Sequence, residues 1–251
     1  MNAQLQSTTE RKTARLLGNS PISELRAKMA SCFAAEIAAV TPEVCAVLQE
    51  QFKKCADTEE RIILIHLARD LASQRDQFAA QIDRRVRYRF DAKFDVSEDA
   101  SSHTGQFSRD AVLLFEELGM HEEFELEQCV GQLRKECQAE LFAMTVMLGK
   151  MLGRGLFVES HNPVFPRVLL RALQDALQDI GCDVRARRFA FRAYSPRLAH
   201  IIARIYRHVV EAFTQAETGR AVFDPGGTRN RPSTLSANNP PSRGVYEPRT
   251  H

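Results

Sequence analysis

The sequence predicts an all-α fold: an elongated multi-helix bundle with disordered N- and C-terminal tails. Two observations carry this prediction. Apolar residues recur every three or four positions through most of the chain, and the alternation typical of β-strands persists nowhere. Hydrophobic residues make up 44% of the 251 residues, which is enough for a core.

Composition divides the chain into three parts. Residues 1–19 are polar and are predicted to be flexible, and residues 20–218 form the helical domain, with a polar loop at 95–108. Residues 219–251 contain half of the ten prolines and little apolar surface. Because so little surface cannot offset the entropy of ordering, we expect a disordered tail rich in Pro, Gly and Arg.

Helix starts are predicted from capping residues. Three Ser-Pro or Thr-Pro pairs should each begin a helix, namely Ser20-Pro21, Thr41-Pro42 and Ser195-Pro196. Asp57, followed three positions later by Glu60, is a capping-box pattern. The helix behind it should be the longest and should run to about Phe94, since its apolar stripe is not interrupted.

Residues 126–151 predict one helix that packs lengthwise on a neighbour. Its apolar positions step by 4, 3, 4, 4, 3, 4 and 3, close to a heptad seam: Leu126, Val130, Leu133, Cys137, Leu141, Met144, Leu148 and Met151. Gly153 should end the helix. If the protein forms a homo-oligomer, we expect the contact to involve this helix, residues 126–151.

The segment from Asn162 to Pro166 is the most specific feature of the sequence. Asn162 precedes Pro163 and should therefore be extended, and Pro166 should occupy the first turn of the next helix. On a structural interpretation, Phe165 packs over that turn and the segment sets an interhelical angle. In the alternative, Asn162 and Phe165 are exposed and form a partner-binding lip.

This segment, continued by Leu169, Ala172 and Leu173, resembles the opening motif of a bacterial family known as domain of unknown function 1631. The likeness covers roughly residues 42–216. It implies a short member of that family or a fragment of a longer one. The family brings no established activity and no catalytic residues to carry over.

Two arginine clusters are candidate interaction surfaces. The first comprises Arg84, Arg85, Arg87 and Arg89, and the second comprises Arg185, Arg188 and Arg192. Arginine binds phosphate bidentately, so either cluster could contact RNA or a nucleotide. The competing interpretation is a solvated helix face, with the first cluster paired to acids such as Asp83 or Asp91 and the second surrounding core aromatic rings.

No pattern of catalytic or metal-binding residues stands out. The six cysteines include no C-x-x-C pair, and the seven histidines no H-x-x-x-H pair. Nucleotide-binding loops and nucleophile elbows are also missing from the sequence. We therefore predict that the protein is not an enzyme and has no catalytic residues, no metal and no cofactor.

A formal net charge of +2 is not that of a dedicated nucleic-acid binder. The longest aliphatic run, Ile62 to Ile65, is far short of a membrane span. We therefore predict a cytoplasmic, non-enzymatic scaffold or regulatory module whose partner is another protein. The alternative is a nucleic-acid or nucleotide-binding regulator that uses the arginine-rich helix faces.

Overall fold

A computed structural model describes residues 21–94, 109–153, 155 and 159–222. The side chains of residues 109–120, 160 and 216–222 are not described. The predicted loop at 95–108, the predicted tail at 1–19 and residues 223–251 of the other tail lie outside the described residues. Residues 219–222 belong to a helix.

The all-α prediction is confirmed, and the described residues contain no strand. They form seven α-helices and one 3-10 turn, Glu159–His161. The helices are α1 Pro21–Lys54, α2 Thr58–Ser73, α3 Arg75–Asp91, α4 Arg109–Glu136, α5 Gln138–Leu152, α6 Pro166–Asp179 and α7 Val184–Val222. The first compact unit of the chain ends at Thr214.

Helix α1 lies against both α2 and α3, α3 packs on α6, and α6 packs on α4. All seven helices contribute buried apolar side chains to one core, in which the aromatic rings of Phe78 and Tyr194 lie 6.4 Å apart. The hydroxyl of Tyr194 forms a buried hydrogen bond of 2.8 Å with the Thr41 hydroxyl. This bond ties α7 to the middle of α1.

The predicted start at Thr41-Pro42 is wrong, because α1 runs through Pro42 without a break. Proline has no N–H and would leave the carbonyl of Ala38, four residues earlier, without its helical donor. Arg75 supplies one instead, since its Nε donates to the Ala38 oxygen at 2.8 Å. A side chain from α3 therefore replaces the hydrogen bond that Pro42 cannot make.

The predicted start at Ser195-Pro196 is also wrong, because α7 begins at Val184 and includes Pro196. Its first turn is capped by Asp183, whose Oδ1 accepts from the backbone N–H of Ala186 at 2.7 Å. Helix α7, with 39 residues, is the longest described. The stretch expected to be longest is instead two helices that meet at Gln74.

The 126–151 segment breaks at Cys137, whose backbone leaves the helical region at φ −112° and ψ 24°. Its seam residues from Leu126 to Leu148 are all buried in the core of the chain itself. The seam therefore cannot join two copies of this folded chain. Self-association through α4 or α5 would have to use an outward face.

Several terminal signals are confirmed. Helix α1 begins at Pro21, and Asp57 caps α2 by accepting from the N–H of Glu60 at 2.8 Å. Gly153 ends α5 with φ +60°, a left-handed conformation that a side chain would strain. Pro166 occupies the first turn of α6, where its missing N–H costs nothing.

By length and composition, α1 is the single helix among the described residues that could cross a membrane. Its buried row includes Leu25, Phe33 and Leu48, which belong to the core shared with the other helices. A core helix of a folded domain meets the same criterion.

We expect Arg75→Met to lower the free energy of unfolding by about 0.5–1 kcal/mol, because it removes the donor to Ala38. In a Pro42→Ala background, residue 42 regains an N–H that can satisfy that carbonyl, so the effect of Arg75→Met should nearly vanish. Urea denaturation of the four proteins in this double-mutant cycle measures the coupling. If Arg75→Met lowered the free energy of unfolding equally in both backgrounds, Arg75 would not be replacing the N–H that Pro42 lacks.

Candidate functional site

The first arginine cluster faces another helix more than it faces solvent. Arg85 donates to both carboxylate oxygens of Asp179 on α6, with Nε at 2.7 Å from Oδ2. Arg89 forms a second bidentate pair one turn away, with Asp175 at 2.7 and 2.9 Å. Arg84 adds a longer contact of 3.3 Å to Asp179. Two aspartates of α6 thus bind three arginines of α3.

The solvated-face interpretation predicted partners on the arginines' own helix, and it is correct only for Arg87. Arg87 forms a bidentate pair with Asp83 at 2.7 and 3.0 Å, while Asp91 pairs with Arg26 of α1. The side chain of Asp179 is only 16% exposed. Its hydrogen bonds with Arg85 hold the pKa of that carboxyl below its usual range.

The second arginine cluster also pairs across helices. Glu125 of α4 accepts from Arg188 at 3.1 Å and from Arg192 at 2.5 Å, and Arg185 reaches Glu59 of α2 at 3.1 Å. The most buried pair of this region, between Arg187 and Glu122, lies among them. It is bidentate, with both distances 3.0 Å and side chains 15% and 17% exposed.

All seven candidate arginines therefore have carboxylate partners, and six of the seven pair with a carboxylate on another helix. The residues first considered as a phosphate-binding surface hold α3 to α6 and α7 to α4 and α2. Bidentate pairs of this kind fix geometry as well as charge. These carboxylates occupy part of the N–H donors of each guanidinium group.

The Asn162 to Pro166 segment is buried, as the structural interpretation predicted. Asn162 is 3% exposed and Phe165 7%, so neither forms an exposed lip. The Asn162 amide donates to the Thr145 hydroxyl at 3.0 Å and accepts from the Val164 N–H at 3.0 Å. The buried Tyr206 hydroxyl donates to the Val164 carbonyl at 2.6 Å. These bonds connect the approach to α6 with both α5 and α7.

A cavity of about 630 Å³ opens beside this segment, between the C-terminal end of α3, the middle of α4 and the first turns of α6. The described residues that line it include five cationic side chains: Arg89, Lys93, Arg134, Arg167 and Arg171. Two carboxylates, Glu127 and Glu159, also line it. Asn162 and Phe165 form part of its wall.

The cations in the cavity crowd one another. Burial lowers the pKa of Lys93, and the nearby charges of Arg167 and Arg89 lower it further. Burial also lowers the pKa of Arg171, with a further contribution from Arg89. The cations therefore lie close enough to repel one another, while Asp175 and Glu122 oppose this effect at Arg171.

Of the candidate residues predicted from the sequence, only Arg89 and the Asn162 segment line this cavity. Its other cations, Lys93, Arg134, Arg167 and Arg171, come from three elements far apart in the chain. Two pairs of these cations are spaced four apart, Arg89 with Lys93 and Arg167 with Arg171, but nothing local connects the two pairs or joins them to Arg134. The packing of α3 and α4 on α6 brings the rest together.

Helix α5 has a second apolar row that faces away from the core. Ala139, Phe142, Ala143 and Val146 follow the i, i+3, i+4, i+7 spacing of one helix face. Phe142 is 61% exposed, whereas Leu141, Met144 and Leu148 on the opposite side are buried. Only Glu140 and Lys150 among the helix's 15 residues are charged.

The thiols show no activation. Burial raises the pKa of all six cysteines, to about 11 for Cys137 and Cys182, so that they are protonated at neutral pH. In the described part of the chain, no three His, Cys, Asp or Glu side chains gather closely enough to hold a metal ion.

One family model matches the chain, under the description "Protein of unknown function (DUF1631) N-terminal domain", over residues 19–217. No curated protein and no solved structure matches the chain. The matched range contains all of the cavity lining and the outer row of α5.

We expect Asp179→Asn to cost roughly 1 kcal/mol of stability at pH 7, because it weakens the contact between α6 and Arg85. The pKa of Asp179 is lower in the folded state than in the unfolded state. The stabilisation is therefore complete above the unfolded pKa of about 4, and it is lost as the pH falls through the folded value.

Urea denaturation of wild type and Asp179→Asn across pH 2–7 checks this dependence. Asp70→Asn is the matched control, since Asp70 contacts an exposed arginine, Arg69, that is adjacent in sequence. Its effect should be small at every pH. A difference between wild type and Asp179→Asn that stays constant down to pH 2 would contradict the expected dependence.

Asn162→Ala should lower the free energy of unfolding by about 2 kcal/mol, because it leaves the buried Val164 N–H without its acceptor. Phe165→Ala should cost about 3 kcal/mol through lost packing. Pro166→Ala should be mild, since alanine is tolerated in a first turn. Thermal and urea melts of the three variants measure these effects, and an unchanged Asn162→Ala protein would contradict the anchoring of this segment.

Proposed function

We infer the function from geometry, because this chain belongs to the DUF1631 family, which is described only as a protein of unknown function. The protein is a non-enzymatic, cytoplasmic helical module that binds a partner protein. The binding surface is the outer row of α5, formed by Ala139, Phe142, Ala143 and Val146. The observation that carries this proposal is that Phe142, a large apolar side chain, is mainly exposed to solvent on a helix with few charged residues.

A helix that is apolar on all sides is expected to be covered on all sides. Three partly buried side chains of α5, Met147, Met151 and Leu152, do pack against the core. The outer row does not take part in that core among the described residues. A partner that covers it would remove Phe142 from water, and a fully buried Phe contributes roughly 1.5–3 kcal/mol.

The occupant we propose is an apolar segment of another protein, laid along α5 as an amphipathic helix. The row fits the i, i+3, i+4, i+7 anchor spacing of such contacts. Four residues, two of them alanines, offer far less than the roughly 800 Å² per partner of a stable homodimer. The row therefore favours a reversible regulatory contact over permanent self-association.

The nucleic-acid alternative receives less support. Its seven arginines are engaged with carboxylates, and the whole chain has a net charge of only +2. A surface that tracks a phosphate backbone needs cations free to face it. Because their charge is largely neutralised by these carboxylates, the helix faces attract a phosphate backbone less than the arginine count alone suggests.

Phe142→Asp should abolish partner binding while changing stability by no more than about 0.5 kcal/mol, because the side chain is mainly exposed. The measurement uses a photo-reactive amino acid placed at position 146, which cross-links whatever lies on the row in cells, followed by mass spectrometry. The partner found should bind the purified wild-type chain in solution and fail to bind Phe142→Asp.

Tyr88→Asp is the matched control, because Tyr88 is equally exposed at 62% but lies on α3. It should bind the partner like wild type. Equal binding by all three proteins would refute the site. Cross-links found only between copies of this chain would contradict a different partner protein and show self-association through the row. Cross-links found only to residues 223–251 of the same chain would show that its own tail covers the row.

A further inference from the structure

We propose that the cavity beside Asn162 binds a phosphate ester of about nucleotide size. The site would lie between α3, α4 and α6, with the phosphate groups held by Arg89, Lys93, Arg134, Arg167 and Arg171. This inference does not depend on the outer row of α5.

The charge of the lining selects an anion. Five cations face two carboxylates, Glu127 and Glu159, among the described lining residues. Two further carboxylates pair with lining arginines from its edge: Asp175 with Arg89, and Glu123 with Arg167 and Arg171. The described residues around the cavity thus comprise five cations and four carboxylates.

The arginines keep donors for a ligand. A guanidinium carries five N–H groups, and a bidentate carboxylate uses two of them. Arg89 is paired in this way with Asp175, at 2.7 and 2.9 Å. Glu123 is shared between Arg167 and Arg171, and Arg167 also pairs with Glu127 at 2.9 Å. Arg134 pairs with Glu159 through one nitrogen at 2.8 Å. A phosphate can bind the remaining N–H groups without displacing the carboxylates.

The crowding of cations also favours an anion. Burial is the main cause that lowers the pKa of Lys93 and of Arg171, and neighbouring cations add to it: Arg167 and Arg89 for Lys93, and Arg89 for Arg171. A phosphate among these groups would turn mutual repulsion into attraction to a shared charge.

Size and surface chemistry indicate more than a single phosphate. The cavity volume, about 630 Å³, falls in the range of small-molecule sites. Val130, Phe165 and Val168 give part of the wall an apolar surface. At Gly131 an added Cβ would meet nothing within 4 Å, so the backbone of α4 leaves open space there. An aromatic base or similar group could lie against this side.

The test is isothermal titration of the full chain with inorganic phosphate, pyrophosphate and ATP. Saturable binding is expected for pyrophosphate and ATP, with ATP tighter if the apolar wall contributes. Lys93→Gln should weaken both by about tenfold, a typical effect of losing one charged contact, while circular dichroism shows an unchanged fold.

Gly131→Gln tests the cavity independently of charge. It replaces a helical glycine, so the fold should be retained or slightly stabilised, while the new side chain occupies the open space. ATP binding should fall by more than pyrophosphate binding. Equal affinities for phosphate, pyrophosphate and ATP in wild type would reduce the site to a simple anion site and overturn the nucleotide-size assignment.

Arg185→Gln is the matched charge control, because it removes one exposed cation outside the cavity. It should bind both ligands within about twofold of wild type. A loss as large as that of Lys93→Gln would show a general effect of charge and overturn the proposal. The absence of saturable ATP and pyrophosphate binding to wild type would overturn it as well.

Discussion

The hydrogen bonds of one buried side chain, Asn162, hold the approach to α6 in place, and the central packing depends on that approach. Its amide donates to Thr145 of α5 and accepts from the backbone of Val164. Pro163 and Pro166 restrict the backbone on either side. Because α6 contacts both α3 and α4, the direction in which it leaves this segment decides where three helices meet. The cavity lies at that meeting point.

Charge pairing then orients the helices around the core. Aspartates of α6 form ion pairs with arginines of α3, and glutamates of α4 form ion pairs with arginines of α7. Burial of apolar side chains supplies most of the free energy of folding but is not directional. Bidentate ion pairs add direction, because a guanidinium and a carboxylate must meet in one plane. The near-neutral composition of the chain reflects this pairing.

The two proposed binding surfaces of the described residues are additional to these contacts between helices. The outer row of α5 is apolar without belonging to the core, and the cavity at α6 is cationic beyond the carboxylates around it. They are made by different residues and suit different ligands, a protein segment and a phosphate ester. Both lie within residues 19–217, the range that identifies the family.

The sequence by itself determined the helical class, the cap at Asp57, the end at Gly153 and the start at Pro166, because periodicity and capping are local properties. Tertiary structure alone decided that α1 passes through Pro42, since the replacing donor, Arg75, comes from another helix. It likewise decided that the arginine clusters face aspartates and glutamates far away in the chain. The cavity could not be predicted for the same reason: its cations share no local pattern, and only the packing of α3, α4 and α6 brings them together.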